Sequence, residues 1–180
     1  MDHNFGPAYR DEGIVFGASR PSHPAKDVLP AEVQAWLQFM KGKGIARVVC
    51  LLPPSQLSYY REDLLKSYRE TFGSHNVLHA PIQDYFLSGA ENLKSLLEFL
   101  AESERLVKKT VVHCSGGSGR TGHVLAAWLV HARGLDPYAA SKAVERAEPP
   151  RNPREAVNAR NATEDELIGL LSSARPARGG

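Results

Sequence analysis

The chain has 180 residues, 42% of them hydrophobic, which is enough for one domain with a full hydrophobic core. Its 22 basic and 20 acidic side chains leave a formal net charge of +2, too small to favour nucleic acid or a membrane by bulk electrostatics. The sequence has two cysteines, no zinc-ligand spacing, no leader pattern and no long apolar run. We therefore expect a monomeric, cytoplasmic protein with a single domain over 1–180. Its termini, at about 1–12 and 174–180, are expected to fray.

The first half of the chain predicts alternating strands and helices. A strand over 13–17 is followed by a helix that begins at Pro30, buries Trp36 and ends before Gly42. The apolar run over 45–52 is typical of a strand buried on both faces of a parallel sheet.

The second half continues the alternation. We predict helices over 57–72, 92–107, 119–133, 137–148 and 163–171, and strands over 76–80 and 110–112. This order favours an α/β fold with a mostly parallel central sheet flanked by helices, in which ligands bind beyond the carboxyl ends of the strands.

The most specific motif is His-Cys-Ser-Gly-Gly-Ser-Gly-Arg-Thr-Gly at 113–122, between a predicted strand and an apolar helix. Its glycines let successive backbone N–H groups converge, and the helix adds its positive end. A tetrahedral dianion is the ligand that this arrangement favours. The predicted phosphate-binding residues are Ser115, Gly116, Gly117, Ser118, Gly119 and Arg120.

Cys114 begins this loop and Arg120 closes it. The N–H donors, the helix N-terminus and the guanidinium favour the thiolate form of Cys114, which would be a nucleophile at neutral pH. The planar fork of Arg120 can hold two phosphoryl oxygens. The Thr121 hydroxyl is expected to donate a hydrogen bond to the Cys114 sulfur when that sulfur becomes the leaving group. His113 is expected to orient the loop through hydrogen bonds to its backbone, the alternative being an ordinary buried histidine.

These residues resemble a known family. His-Cys, five residues, then Arg-Thr-Gly is similar to the signature of the cysteine-dependent protein tyrosine phosphatases, and the short chain resembles their small atypical dual-specificity branch. The order of elements over 13–171 fits that family. The resemblance implies that the phosphate-binding loop connects a strand to the central helix.

The resemblance also implies a general acid on a loop upstream of the cysteine. Residues 80–86 resemble the family's Pro-x-x-Asp form, so Asp84 is the candidate to protonate the leaving oxygen and then to activate water, a solvated loop aspartate being the alternative. The proline that often follows is absent, and no glutamine lies at an obvious place to position water. Asn152, Asn158 and Asn161 stay open for that role, with turn or cap roles as the alternative.

The sequence therefore predicts a phosphatase that hydrolyses phosphotyrosine through a phosphocysteine, with phosphoserine and phosphothreonine left open and no metal or other cofactor. Phosphoinositides and RNA 5′-phosphates stay as alternatives, and nucleic acid is expected as a partner only in the latter case. Four basic residues elsewhere are interpreted as solvated surface charges: Arg20, Lys43, Arg151 and Arg154.

Two functions of other classes stay open. One is a module that binds phosphoproteins without turnover. The other is a redox or sulfur-transfer site, which would need Cys50 beside Cys114. Because Cys50 falls inside an apolar strand, we interpret it as a small buried hydrophobe.

Overall fold

The computed structural model describes residues 2–176. Within them, the strands are β1 Gly6–Pro7, β2 Val15–Ser19, β3 Arg47–Cys50, β4 Val77–His79 and β5 Thr110–Cys114. The α-helices are α1 Pro30–Gly42, α2 Pro54–Leu57, α3 Leu64–Phe72, α4 Ala90–Arg105, α5 Gly119–Arg133, α6 Pro137–Glu145, α7 Glu155–Asn158 and α8 Glu164–Ser173.

The strands form one sheet in the order β1-β2-β5-β3-β4, in which every neighbouring pair except β1–β2 runs parallel. All five residues of β5, the central strand, are buried, as its β-branched run predicts. The predicted fold is confirmed: a mostly parallel sheet is flanked by helices. Since β2, β3 and β5 run in one direction, their carboxyl ends meet at one edge, and Cys114 lies there.

Side chains on the two faces of the sheet belong to two hydrophobic clusters. One cluster combines Val49 and Val112 with the apolar faces of α4, α5 and α8. The other combines Val48 and Val111 with α1 and α3, including the fully buried Trp36. Every residue of α5 up to Val130 is buried, as expected for an apolar central helix. The end of β5 and the beginning of α5 are therefore held in a close-packed core.

The segment from 54 to 72 differs from the single predicted helix. It forms two helices, α2 and α3, because a bend intervenes. In the bend, Tyr60 forms an isolated β-bridge with Val28, which precedes α1. The Asp63 side chain accepts a hydrogen bond of 3.0 Å from Lys66 N. This N-cap begins α3 as a separate helix.

The N-terminal segment was expected to fray, and this expectation is wrong for residues 2–12. β1 pairs with β2, and Glu12 is 5% exposed. The Glu12 carboxylate accepts hydrogen bonds from Ile14 N and Trp128 Nε1 and forms a 3.0 Å ion pair with Arg133. A buried carboxylate with these partners fixes the segment to β2 and α5.

At the other end, the Ala174 carbonyl accepts a hydrogen bond of 2.8 Å from His131 Nδ1, which fixes the first residue of the stretch expected to fray. Within that stretch, residues 177–180 lie outside the described residues. No helix in the described part of the chain is both long and apolar enough to cross a membrane.

Candidate active site

The predicted loop runs from Cys114, the last residue of β5, to Gly119, the first residue of α5. Gly117 adopts φ 74°, and a Cβ there would collide with the Ala18 carbonyl group, so the turn requires glycine. Among residues 2–176, no acceptor pairs with the backbone N–H groups from Ser115 to Arg120. Such a run of free donors at a helix N-terminus forms a nest for an anion.

Hydrogen bonds from outside hold the loop in this shape. Arg20 N donates to the Ser115 carbonyl over 3.0 Å, and Asn4 Nδ2 donates to the Gly116 carbonyl over 2.9 Å. Arg151 Nη1 donates to the Gly117 carbonyl. Because these three carbonyls are bound on the outer side, the N–H groups of the loop are left to face the pocket.

Arg20 and Arg151 were interpreted as solvated charges, and this interpretation is wrong. Their exposed fractions are 1% and 3%. Arg20 Nε donates to the Ser115 hydroxyl over 3.1 Å, while Arg151 Nη2 donates to the Asn4 carbonyl over 3.1 Å. Burial lowers the pKa of Arg151 to about 10. Both cations lie behind the loop, where their charge favours an anion on its inner side.

Arg120 is 2% exposed and closes the floor of the pocket. Its Nη1 donates to Gln56 Oε1 over 2.9 Å and to the Ile82 carbonyl over 3.2 Å, and its Nη2 lies 2.8 Å from Asp84 Oδ1. Its Nε is buried without a hydrogen-bond partner in the described part of the chain. An unpaired buried donor of a cation is suited to an anionic ligand such as a phosphoryl group.

Asp84 follows β4, and its side chain is 35% exposed. In addition to the Arg120 ion pair, its Oδ2 accepts a hydrogen bond of 2.9 Å from Gln56 Nε2. Gln56 therefore bridges the arginine and the aspartate. Sequence reasoning missed it, although α2 directly follows β3, whose carboxyl end lies at the same sheet edge as Cys114.

The segment after Asp84 is held without the missing proline. Asn161 Nδ2 donates to the Tyr85 carbonyl over 3.1 Å, and Ser88 N donates to His123 Nε2 over 3.1 Å. Tyr85 adopts φ 63°, an uncommon conformation for a residue of its type. These contacts attach the Asp84 loop to α5 and to the segment before α8.

His113 is fully buried at the end of β5. Its Nδ1 lies 3.2 Å from the Cys114 carbonyl oxygen, which can only accept, so Nδ1 carries the proton and the Tyr68 hydroxyl donates to Nε2 over 3.1 Å. Burial lowers the pKa of His113 to about 3. The neutral ring thus holds the loop backbone. The Thr121 hydroxyl is buried without a partner among residues 2–176.

The pocket has a volume of about 250 Å³. Of the predicted residues, it is lined by Asp84, Cys114, Ser115, Gly116, Ser118, Gly119 and Arg120, while Gly117, Thr121 and His113 lie outside its lining. It is also lined by three residues that the sequence reasoning did not assign: His23, Tyr85 and Glu155.

The asparagines left open for positioning water do not line the pocket. Asn152 contacts the loop through its backbone, whose N–H donates to Ser118 Oγ over 3.2 Å. The Asn161 side chain is used by the Tyr85 carbonyl, and Asn158 is exposed. Within residues 2–176, no cluster of three or more His, Cys, Asp or Glu side chains is arranged to hold a metal ion.

Cys50 is fully buried on β3, and burial raises its pKa to about 12. It is paired in register with His113 and belongs to the same hydrophobic cluster as Val48 and Val111. Cys114 belongs to the cluster on the opposite face of the sheet. A disulfide between the two thiols would therefore require the backbone to move.

Comparison with known proteins supplies the decisive observation. Residues 30–168 match the family described as PTP-SAK, Swiss Army Knife protein, DSP-PTPase phosphatase domain. The chain belongs to this family. The resemblance to the cysteine-dependent phosphatases is thereby confirmed, and the structure around Cys114 is that of a dual-specificity-type phosphatase domain.

Solved structures agree with this phosphatase domain. Tk-PTP in its active form superposes with a TM-score of 0.69 at 26% identity, covering 96% of this chain and 98% of the other. Kinase associated phosphatase, with its catalytic-site cysteine replaced by serine, gives 0.67 at 25% identity over 85% and 86% of the two chains. PTPMT1 in complex with PI(5)P gives 0.68 at 12% identity over 94% and 96%, which shows the fold alone.

Two uncharacterized proteins of Methanocaldococcus jannaschii are similar over 51 residues, or 28% of the chain, at 41% and 39% identity. These matches span 32% and 35% of the relatives' own lengths. The phosphatase domain is thus similar to a limited part of each relative.

Proposed function

We propose that this phosphatase domain is an active enzyme that hydrolyses phosphotyrosine in proteins, and shorter phosphoserine or phosphothreonine esters where they reach the thiol, through a phosphocysteine at Cys114. The observation that carries the proposal is the loop around Cys114: residues with free N–H groups and Arg120, whose Nε is unpaired, line one small pocket. A phosphoryl group offers oxygen acceptors for both.

In the first step, the Cys114 sulfur attacks phosphorus. The S–P bond forms as the P–O ester bond breaks, and Asp84 donates a proton to the leaving oxygen. Arg120 Nε and the loop N–H groups stabilise the charge that develops on the phosphoryl oxygens. Asp84 lines the same pocket as Cys114 and is partly exposed there, which supports this assignment.

In the second step, water attacks the phosphocysteine. Asp84, now a carboxylate, accepts the proton of that water, the new P–O bond forms, and the S–P bond breaks to return the thiolate and inorganic phosphate. We assign to Thr121 a hydrogen bond from its hydroxyl to the leaving sulfur, and to His113 the role of fixing the backbone of Cys114. Gln56 forms hydrogen bonds with both Arg120 and Asp84 and so holds the two side chains next to each other.

Hydrolysis of p-nitrophenyl phosphate in the presence of EDTA tests this function. The wild-type protein should turn the substrate over, and Cys114→Ser should reduce turnover to background while still binding phosphotyrosine peptides. Cys50→Ser is the matched control and should keep wild-type turnover, because Cys50 lies on the other face of the sheet. Full activity in Cys114→Ser would refute the mechanism.

A further inference from the structure

The charges around the pocket are unusual for a site that receives a dianion. Its lining contains one fixed cation, Arg120, and two carboxylates, Asp84 and Glu155. Arg20 and Arg151 direct their donors to the loop from behind. The other basic residues considered from the sequence are used elsewhere: Arg154 pairs with Glu164 at 2.6 Å, and Lys43 lies 5.3 Å above the Phe39 ring.

Glu155 has no part in the mechanism described above. It is the first residue of α7, and its half-buried carboxylate packs against Gly119, where any Cβ would collide with it. Unlike Asp84, it forms no ion pair or hydrogen bond within residues 2–176 through this carboxylate. Burial, and then the charge of Asp84, raise the pKa of the Glu155 carboxyl, while Arg120 lowers it.

A carboxylate without a direct ion-pair or hydrogen-bond partner beside a phosphate site has a clear physical consequence. It repels the phosphoryl dianion and repels more strongly any second anionic group of the substrate. A cationic substituent near the phosphoester reverses this effect, because it supplies the partner that Glu155 lacks. Because the Glu155 carboxylate is half-buried, solvent screens its charge less than that of an exposed carboxylate. Its interaction with a charged substituent of the substrate should therefore be stronger than that of a solvent-exposed ion pair.

We propose that Glu155 is a specificity-determining residue that selects phosphopeptides with a basic side chain next to the phosphorylated residue, and disfavours substrates with a second anion at that place. This inference rests on the proposed function in one respect, since it takes the loop at Cys114 as the phosphoester site.

Two phosphotyrosine peptides that differ only in the neighbouring residue, lysine or glutamate, test the inference. For the wild-type protein, kcat/KM should favour the lysine peptide by about fivefold or more, the ratio expected for one partly screened charge pair. In Glu155→Gln, which keeps the side-chain shape, the ratio should fall below about twofold, and the glutamate peptide should gain most. Glu155→Lys should invert the preference.

Glu98→Gln is the matched control, since it removes an exposed carboxylate of α4 that lines a different groove. It should keep the wild-type ratio. Three results would overturn the inference: no lysine preference in the wild type, an unchanged ratio in Glu155→Gln, or an equal loss of the ratio in Glu98→Gln.

Binding separates this inference from the proposed function. Fluorescence anisotropy with Cys114→Ser and with Cys114→Ser/Glu155→Gln measures the same peptide preference without turnover. If the wild type fails to hydrolyse either peptide but the Cys114→Ser protein binds the lysine peptide in preference, the enzymatic function is refuted and the role of Glu155 stands. If turnover occurs but neither measurement shows the preference, only the role of Glu155 is refuted.

Discussion

At the scale of single residues, the site depends on how the donors of Arg120 are divided. Nη1 and Nη2 are used by Gln56, Ile82 and Asp84, and Nε is left for a ligand. In the proposed mechanism, the same guanidinium therefore holds Asp84 and binds the phosphoryl group. A lysine has neither the planar fork nor enough donors in fixed directions to make both sets of contacts.

Asp84→Asn should lower kcat by roughly 10²-fold or more, because the amide cannot donate the proton that the leaving oxygen needs. The loss should be larger for phosphothreonine peptides than for p-nitrophenyl phosphate, whose leaving group needs no proton. Steady-state kinetics with both substrates measure the difference. Asp27→Asn, which alters an exposed carboxylate paired with Arg61, is the control. Equal losses on the two substrates would contradict the assignment of Asp84 as the acid.

At the scale of elements, the loop obtains its shape from segments distant in sequence. The N-terminal segment, the turn after β2 and the segment before α7 each bind one outward carbonyl, through Asn4, Arg20 and Arg151. Arg151 also joins the loop to the backbone carbonyls of Asn4 and Gly6. The geometry of the loop is thus a property of three segments together.

Arg151→Ala should destabilise the fold by about 3 kcal/mol, because it leaves buried carbonyls without donors. It should also raise KM for p-nitrophenyl phosphate, since the loop loses an outer support and a nearby positive charge. Urea unfolding and steady-state kinetics measure the two effects. Arg154→Ala, which removes a partly exposed ion pair with Glu164, should cost about 1 kcal/mol or less. Equal effects of the two substitutions would contradict the role given to Arg151.

At the scale of the whole molecule, the main elements were predictable because their patterns are local. The β-branched run before Cys114 and the apolar segment after it predict β5 and α5 directly. Gln56, Glu155 and Arg151 were not predictable in this way, since each reaches the site from a short helix or a loop whose path depends on tertiary packing. The order of the N-terminal segment was missed for a similar reason: it depends on Glu12, whose side-chain partners Trp128 and Arg133 are over a hundred residues away.

The buried histidines predict how stability depends on pH. Burial lowers the pKa of His113 to about 3 and that of His123 to about 4, so both stay neutral in the fold while the unfolded chain takes up their protons below about pH 6.5. Their contribution to the free energy of unfolding is complete above that pH. As the pH falls below it, this contribution is lost by about 1.4 kcal/mol per pH unit for each histidine.

Urea unfolding between pH 7 and pH 5 measures this dependence. His113→Asn and His123→Asn should each reduce the slope of the unfolding free energy against pH, and His75→Asn, at an exposed position, should leave it unchanged. A slope that is unaffected by both buried substitutions would contradict the neutral state assigned to these rings.

The central claim is that the phosphoryl group is transferred to the Cys114 sulfur before water releases it as phosphate. Rapid acid quenching of the wild-type protein during turnover of a phosphotyrosine peptide, followed by mass spectrometry of the proteolytic fragments, tests it most directly. We predict one phosphoryl group on the fragment that contains Cys114, present in larger amount in Asp84→Asn if the second step is slowed more than the first, and absent in Cys114→Ser. Continued turnover with no phosphoryl group on Cys114 at any quench time would contradict the account.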